Sequence, residues 1–250
     1  MCTLVILRRP DHRWPLLLAA NRDEMVARPW LPPARHWPER PNVIAGLDLL
    51  GGGSWFGLND DGVAVGVMNR EGSLGPAPGR RSRGELVLAA LDHGSAAAAA
   101  DALAGREANA YRSFNLVVAD HREAFWLRHL GEQGPGRFEV SELPLGVSMM
   151  AARDLNDPSS PRIRDYLPRF RTASVPDPEA GDWSAWVALL ASREGDTQAG
   201  PRGAMTVVTD SGFGTVSSAL LALPSPGQAA PRLRFAAGRP DQAPFEEVSL

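Results

Sequence analysis

Cysteine is almost missing from this 250-residue sequence: there is one, Cys2. No intramolecular disulfide can form, and zinc sites built from several thiolates are excluded together with dithiol redox pairs. The five histidines, at positions 12, 36, 93, 121 and 129, show no ligand spacing such as HExxH, so no metal site is expected. No apolar run approaches the roughly 20 residues that cross a bilayer. Arg8 and Arg9 interrupt the first apolar run, and Leu16 to Ala20 is too short for a signal-peptide core. Neither charge dominates, with 26 basic against 29 acidic residues and a pI near 6.0. The basic residues are all arginine and are scattered, which excludes a general attraction to nucleic acid or anionic lipid. The expectation is a soluble cytoplasmic protein with a small-molecule ligand and no nucleic-acid partner. Its oligomeric state is left open.

What is present is ordinary globular chemistry, with 44% hydrophobic and 22% charged residues. A chain this long can bury a sizeable core without staples. No internal repeat or long linker interrupts it, so one domain over 1–250 is expected. Thr3 to Leu7 and Trp14 to Ala20 are short apolar runs that predict a buried β-hairpin. A Pro-rich loop from Pro29 to Pro41 carries Trp30 and Trp37. The Gly51-Gly52-Gly53 turn then leads into a strand at Ser54 to Leu58. Asn59-Asp60-Asp61-Gly62 is a turn signal, and Val63 to Met68 reads as the returning strand.

Helical pattern covers Glu85 to Leu91 and, after Ser95, an alanine-rich run ending near Leu103. Strands return at Asn115 to Ala119 and Ala124 to His129. Two more helices are predicted, Ser159 to Phe170 with Pro161 in its first turn and Asp182 to Ser192 capped by Asp182. Ala204 to Thr209 and Ser217 to Leu223 read as a closing strand pair. Strands, then helices, then strands with hairpin connections point to an α+β sandwich of mostly antiparallel sheets.

Cys2 is the first candidate for chemistry. Removal of the initiator methionine is expected before a small residue, and the chain would then open with a thiol and an α-amine on one residue. An α-amine titrates near 7.7–8.0 and a free thiol near about 8.5, so the amine can accept the thiol proton. A lone cysteine reads equally as a small packed hydrophobe. The partner strand of the hairpin ends in Asn21-Arg22-Asp23-Glu24, which strand pairing would bring beside Cys2. An arginine there would lower the thiol pKa, and a carboxylate would orient the amine or the arginine. The same tetrad also reads as a solvated turn.

Met1-Cys2-Thr3 with Asn21-Arg22-Asp23-Glu24 resembles the signature of the NRDE (transport-and-Golgi-organisation) family. The resemblance continues through Arg28-Pro29, Trp37, Gly46-Leu47-Asp48, Gly52-Gly53-Ser54-Trp55 and Asn69-Arg70, and returns at Phe114-Asn115 and Phe213-Gly214-Thr215. It covers most of the chain and is most specific in the first 70 residues. More distantly, the N-terminal region is similar to the choloylglycine hydrolase and penicillin V acylase group of N-terminal-nucleophile (Ntn) hydrolases. The resemblance implies a four-layer αββα sandwich with two mostly antiparallel sheets. It implies Cys2 as nucleophile, Asp23 as the group holding the α-amine with Arg22 beside it, and Asn69 as an oxyanion donor. Asn21, Trp55, Arg70 and Asn115 are the expected substrate contacts.

Three positions depart from the hydrolase pattern: Ala20, Met149 and Val216 stand where that group carries an arginine, an asparagine and an arginine. Preorganised charge is usually the largest catalytic contribution, so two functions stay open. One is a hydrolase acting on an amide or thioester of a small acyl substrate, which needs no cofactor. The other is a binding or trafficking protein for haem or another hydrophobic anion such as acyl-CoA, with Cys2 as a haem-iron thiolate or a pocket residue. Fold alone does not choose between them.

Overall fold

The computed structural model describes residues 2–131 and 134–250. Its strands, in chain order, are β1 (Thr3–Arg8), β2 (Leu16–Met25), β3 (Trp30–Ala34), β4 (Val43–Asp48), β5 (Phe56–Asn59), β6 (Ala64–Asn69), β7 (Phe114–Ala119), β8 (Ala124–His129), β9 (Glu139–Glu142), β10 (Gly146–Met150), β11 (Phe213–Leu223), β12 (Arg232–Ala236) and β13 (Glu246–Glu247). The helices are α1 (Gly84–Leu91), α2 (Ala96–Ala104), α3 (Pro161–Thr172) and α4 (Ser184–Ala191). All strand pairs are antiparallel and fall into two sheets, as the α+β expectation requires. Among the described residues no helix is long and apolar enough to cross a membrane.

The chain divides into two compact units, one running up to Arg28 and resuming at Leu145, the other spanning Pro29–Pro144. The first holds a six-stranded sheet in the order β10-β1-β2-β11-β12-β13. Alternation along β1, β2 and β11 turns Val5, Leu7, Leu17, Ala19, Leu220 and Ala222 toward one face. There they pack with Ile163, Tyr166, Leu167 and Phe170 of α3 and with Trp186 and Leu190 of α4. Pro161 opens α3 at its first turn, where a missing N–H costs nothing. Asp182, expected as the cap of α4, lies one residue before the capping position at Trp183, its Oδ1 accepting from the Ser184 N–H at 2.9 Å.

The second unit is a meander, β3-β4-β5-β6-β7-β8-β9, with α1 and α2 inserted between β6 and β7. Val43, Val65, Phe114, Leu116, Val118 and Leu127 pack with Leu86 and Leu91 of α1 and with Ala99, Ala100 and Leu103 of α2. Ser95 caps α2 by accepting from the Ala98 N–H at 3.2 Å. The Gly-rich turn exists for close approach as well as for turning. A Cβ on Gly53 would lie 2.4 Å from the main chain of Gly84, where α1 begins.

Three sequence expectations are corrected. The Asn21-Arg22-Asp23-Glu24 tetrad is not a turn: β2 runs on to Met25, because β11 pairs with it from Met25 to Leu16 and its polar side chains find buried partners. The Pro29–Pro41 loop contains a strand, β3, which tolerates Pro32 and Pro33 because it lies at the sheet edge. Ala204 to Thr209 is not a ladder strand. Both flanks of β11 are taken by β2 and β12, so this segment contributes only an isolated bridge, Val208 to Gly214. The strand that pairs there instead, β12, carries the alternating sequence Arg232-Leu233-Arg234-Phe235.

Candidate functional site

The first unit gathers Cys2, Asn21, Arg22 and Asp23 at one end of β1 and β2. Thr3 is opposite Asn21 in the ladder, so Cys2 stands just beyond the last pair, level with Arg22. Because side chains alternate along a strand, Thr3, Asn21 and Asp23 face the helices while Cys2 and Arg22 face away from them. Cys2 is half-buried, and its Sγ lies 3.9 Å from the main-chain oxygen of Asp23. Burial pushes its thiol above the usual range, and the Asp23 charge acts in the same direction. The Asp23 main-chain contact and the Arg22 charge pull the other way. Arg22 thus acts in the expected sense, but burial outweighs it.

Asp23 is fixed on the helix side. Its Oδ2 accepts from Nη1 of Arg162 at 3.0 Å, and its Oδ1 accepts from the Thr215 hydroxyl at 2.7 Å. The same Arg162 nitrogen reaches the Thr3 hydroxyl, and Nη2 donates to the main chain of Arg202 at 3.1 Å. Both partners of the ion pair are buried. Thr215 is itself anchored, its hydroxyl accepting from the Val207 N–H at 2.9 Å. Asp23 is thereby tied to α3, β1, β11 and the segment between α4 and β11.

Sequence reasoning missed Arg162, although a signal was present. It lies on the face of α3 that also carries Ile163, Tyr166 and Phe170, all buried. A buried arginine in the first turn of a helix opposes the helix dipole and has to meet a carboxylate. The first turn of α3 contains none, so the partner had to come from elsewhere in the chain.

Asn21 uses its amide inside this unit. Its Nδ2 donates to the carbonyls of Leu190 and Met205, each at 3.0 Å, and its Oδ1 accepts from the Ser218 hydroxyl. Of the three departures, Ala20 is opposite Leu4 and Ala219, and Met149 is opposite Val5 in the helix-side core. Val216 sits in a β-bulge, where the register with β2 shifts between Thr215 and Ser217. Asn156, also unforeseen, adopts a left-handed φ of 56° and accepts from the Met149 N–H at 2.8 Å.

The remaining expected residues lie in the second unit. Asn69 ends β6, opposite Phe114, and Arg70 follows it. Nη1 of Arg70 donates to Oδ1 of Asn115 at 2.8 Å, and Trp126 Nε1 donates to the same oxygen at 3.1 Å. Asn115 is fully buried. Trp55 stands edge-on to Trp30 with ring centres 5.8 Å apart. Among the described residues no group of three or more His, Cys, Asp or Glu is placed to hold a metal ion.

Residues 1–173 match the sequence profile described as Transport and Golgi organisation 2. The bovine (Bos taurus) Transport and Golgi organization protein 2 homolog is 36% identical over 110 residues, 42% of this chain and 38% of that protein. The human (Homo sapiens) homolog is 34% identical over 110 residues, with the same coverage. These alignments thus span well under half of the curated relatives' length. Among solved structures, the Caenorhabditis elegans N-acylethanolamine-hydrolyzing acid amidase ortholog superposes with a TM-score of 0.60 at 12% identity, covering 99% of this chain and 100% of that one. The C2A mutant of the Clostridium perfringens conjugated bile acid hydrolase gives 0.53 at 10% identity, covering 100% and 97%. At such identities the likeness shows the fold, and the fold is that of the Ntn-hydrolase sandwiches.

Proposed function

The chain belongs to the Transport and Golgi organisation 2 family and has an Ntn-hydrolase-like fold, and from that premise we propose that it hydrolyses an amide or thioester of a small acyl substrate through Cys2. The observation that supports this most is the setting of Cys2. The thiol lies at the start of β1, level with a buried Arg22 and against the main chain of Asp23, whose carboxylate is locked by Arg162 and Thr215. Buried polar structure around a strand end is costly to keep unless it is matched, and the Asp23 carboxylate is matched on both oxygens.

Loss of Met1 is the first step of the proposal. The Cys2 α-amine then takes the thiol proton as Sγ attacks the carbonyl carbon and a C–S bond forms. The tetrahedral adduct collapses, the C–N or C–S bond to the leaving group breaks, and the ammonium returns its proton to the departing amine or thiolate. Water attacks the resulting acyl-thioester with the amine as base, releasing the carboxylic acid and restoring the thiol. Asp23, held by its own partners, is the positioning residue that keeps the N-terminus in place. Arg22 lowers the cost of ionising the sulfur, opposing burial.

Haem ligation by Cys2 is the competing use of the same atom. Both uses need the thiolate, which burial opposes, and the hydrolase reading is preferred because the thiol stands at the opening of β1 beside Arg22 and the Asp23 main chain. The test combines intact mass with turnover of N-acyl amides and acyl-thioesters by the wild type and Cys2→Ser. Loss of Met1 with turnover that collapses in Cys2→Ser is the expected result. A retained Met1, or turnover at full rate in Cys2→Ser, overturns the proposal.

A further inference from the structure

We infer that Ser217 is a specificity-determining residue: its hydroxyl recognises a hydrogen-bond-accepting, anionic group on the far end of the acyl chain presented to Cys2. The inference rests on the Cys2 hydrolase reading for its substrate class, and on a separate observation for the residue.

That observation is a mismatch among three neighbouring hydroxyls on β11. Thr215 donates to Asp23 and Ser218 donates to Asn21, so the two that face the helices are matched. Ser217 Oγ is fully buried and, among the described residues, has no hydrogen-bond partner. A buried hydroxyl without a partner is destabilising, and the groups left in that state in native structures call for an explanation. Nothing in the strand requires a hydroxyl at this position, since alanine would fill it without leaving an orphan. The β-bulge between Thr215 and Ser217 sets Ser217 opposite Arg22. Bulges commonly re-aim a side chain beside a functional site.

The row that results identifies the ligand. Register places Cys2 level with Arg22 on β2, and Ser217 level with Arg22 on β11, all turned away from the helices. Two interstrand steps of about 4.8 Å separate the outer members, so Ser217 lies roughly 10 Å from Cys2 along the row. Arg22, buried between them, adds positive charge to the same line. A donor hydroxyl with a cation alongside matches a carboxylate better than a methyl terminus. The substrate class is therefore an acyl group ending in a carboxylate or similar acceptor, of about the length of a suberoyl chain.

The test separates recognition from catalysis. Calorimetry on Cys2→Ala, which cannot turn over, compares suberic acid monoamide with octanamide, two ligands of equal chain length. We expect the diacid ligand to bind more tightly by about tenfold, the effect of one hydrogen bond to a charged group. Cys2→Ala/Ser217→Ala should lose most of that preference, keeping only what the Arg22 charge contributes. Its ligand-free melting temperature should equal or exceed that of Cys2→Ala, because an orphan hydroxyl has been removed. A preference undiminished by Ser217→Ala, no preference in Cys2→Ala, or a lower melting temperature in the double variant overturns the inference. Hydrolysis measured with Cys2 intact reports on the other claim: a preference without turnover would retain Ser217 recognition and sink the hydrolase reading alone.

Discussion

Arg162 and Asp23 form a buried ion pair 3.0 Å apart across 139 residues of chain, joining the first turn of α3 to the end of β2. Removing one partner would strand a charge in the interior, at a cost of about 3–5 kcal/mol. Arg162→Met and Asp23→Leu should each lower urea-unfolding stability by that order. The double variant should recover much of the loss, giving a large coupling energy. Additive losses would show that the two side chains act independently.

The Cys2 thiol is raised by burial, which fixes the sign of its pH dependence. A raised folded-state pKa favours the protonated form, so its contribution to stability is complete below the ordinary thiol range and is lost as pH rises through the folded value. Alkylation by iodoacetamide should have its midpoint above about 8.5, the usual value for a free thiol. The stability of Cys2→Ala should lack the alkaline decline. A midpoint below the free-thiol value would contradict burial as the dominant influence.

His129 titrates in the opposite sense. Burial lowers its pKa and Arg80 adds to the effect, while a main-chain hydrogen bond at Tyr111 opposes it. A lowered folded value means stability is present above the unfolded pKa, about 6.5, and is lost as pH falls below it. The ring packs against Phe114 and Phe138, so His129→Phe keeps much of the packing. Melting temperatures of the wild type should fall more steeply than those of His129→Phe between about pH 7 and pH 5. Parallel curves would show that His129 protonates freely in the folded protein.

Gly46 leaves room for the Trp55 ring. A Cβ there would lie 2.4 Å from two ring carbons. Gly46→Ala should therefore cost about 1–3 kcal/mol by overpacking. Gly46→Ala/Trp55→Leu should be less destabilised than the sum of its single variants. If the losses simply add, the ring is free to move aside.

The legible part of the site was the contiguous part. Cys2 and the Asn21-to-Glu24 tetrad could be paired from two apolar runs and a turn, since a hairpin brings near-neighbours together by local rules. The exposed-turn reading of the tetrad failed because β11, almost 200 residues later, extends β2 as a strand. Arg162 was invisible as a site residue for the same reason: helix pattern placed it on α3, but no local rule names the carboxylate it meets. Asn21 was expected to contact substrate, whereas the structure shows its amide satisfied by Leu190, Met205 and Ser218. β12 was overlooked because its apolar positions, Leu233 and Phe235, are too few to stand out before a partner strand is known.

By itself the sequence determined which residues alternate, which turn and which carry a reactive group, because those properties depend on near neighbours. It therefore specified the strand and helix periods, a single thiol at position 2 and the family. Only the tertiary structure decided which face each polar side chain took and what it met. A single bulge in β11 sends Thr215 to Asp23 and turns Ser217 away, and the sign of the Cys2 pKa shift depends on burial in the folded chain. Charge and hydrogen-bond partnerships act through space, and that information is absent until the chain has folded.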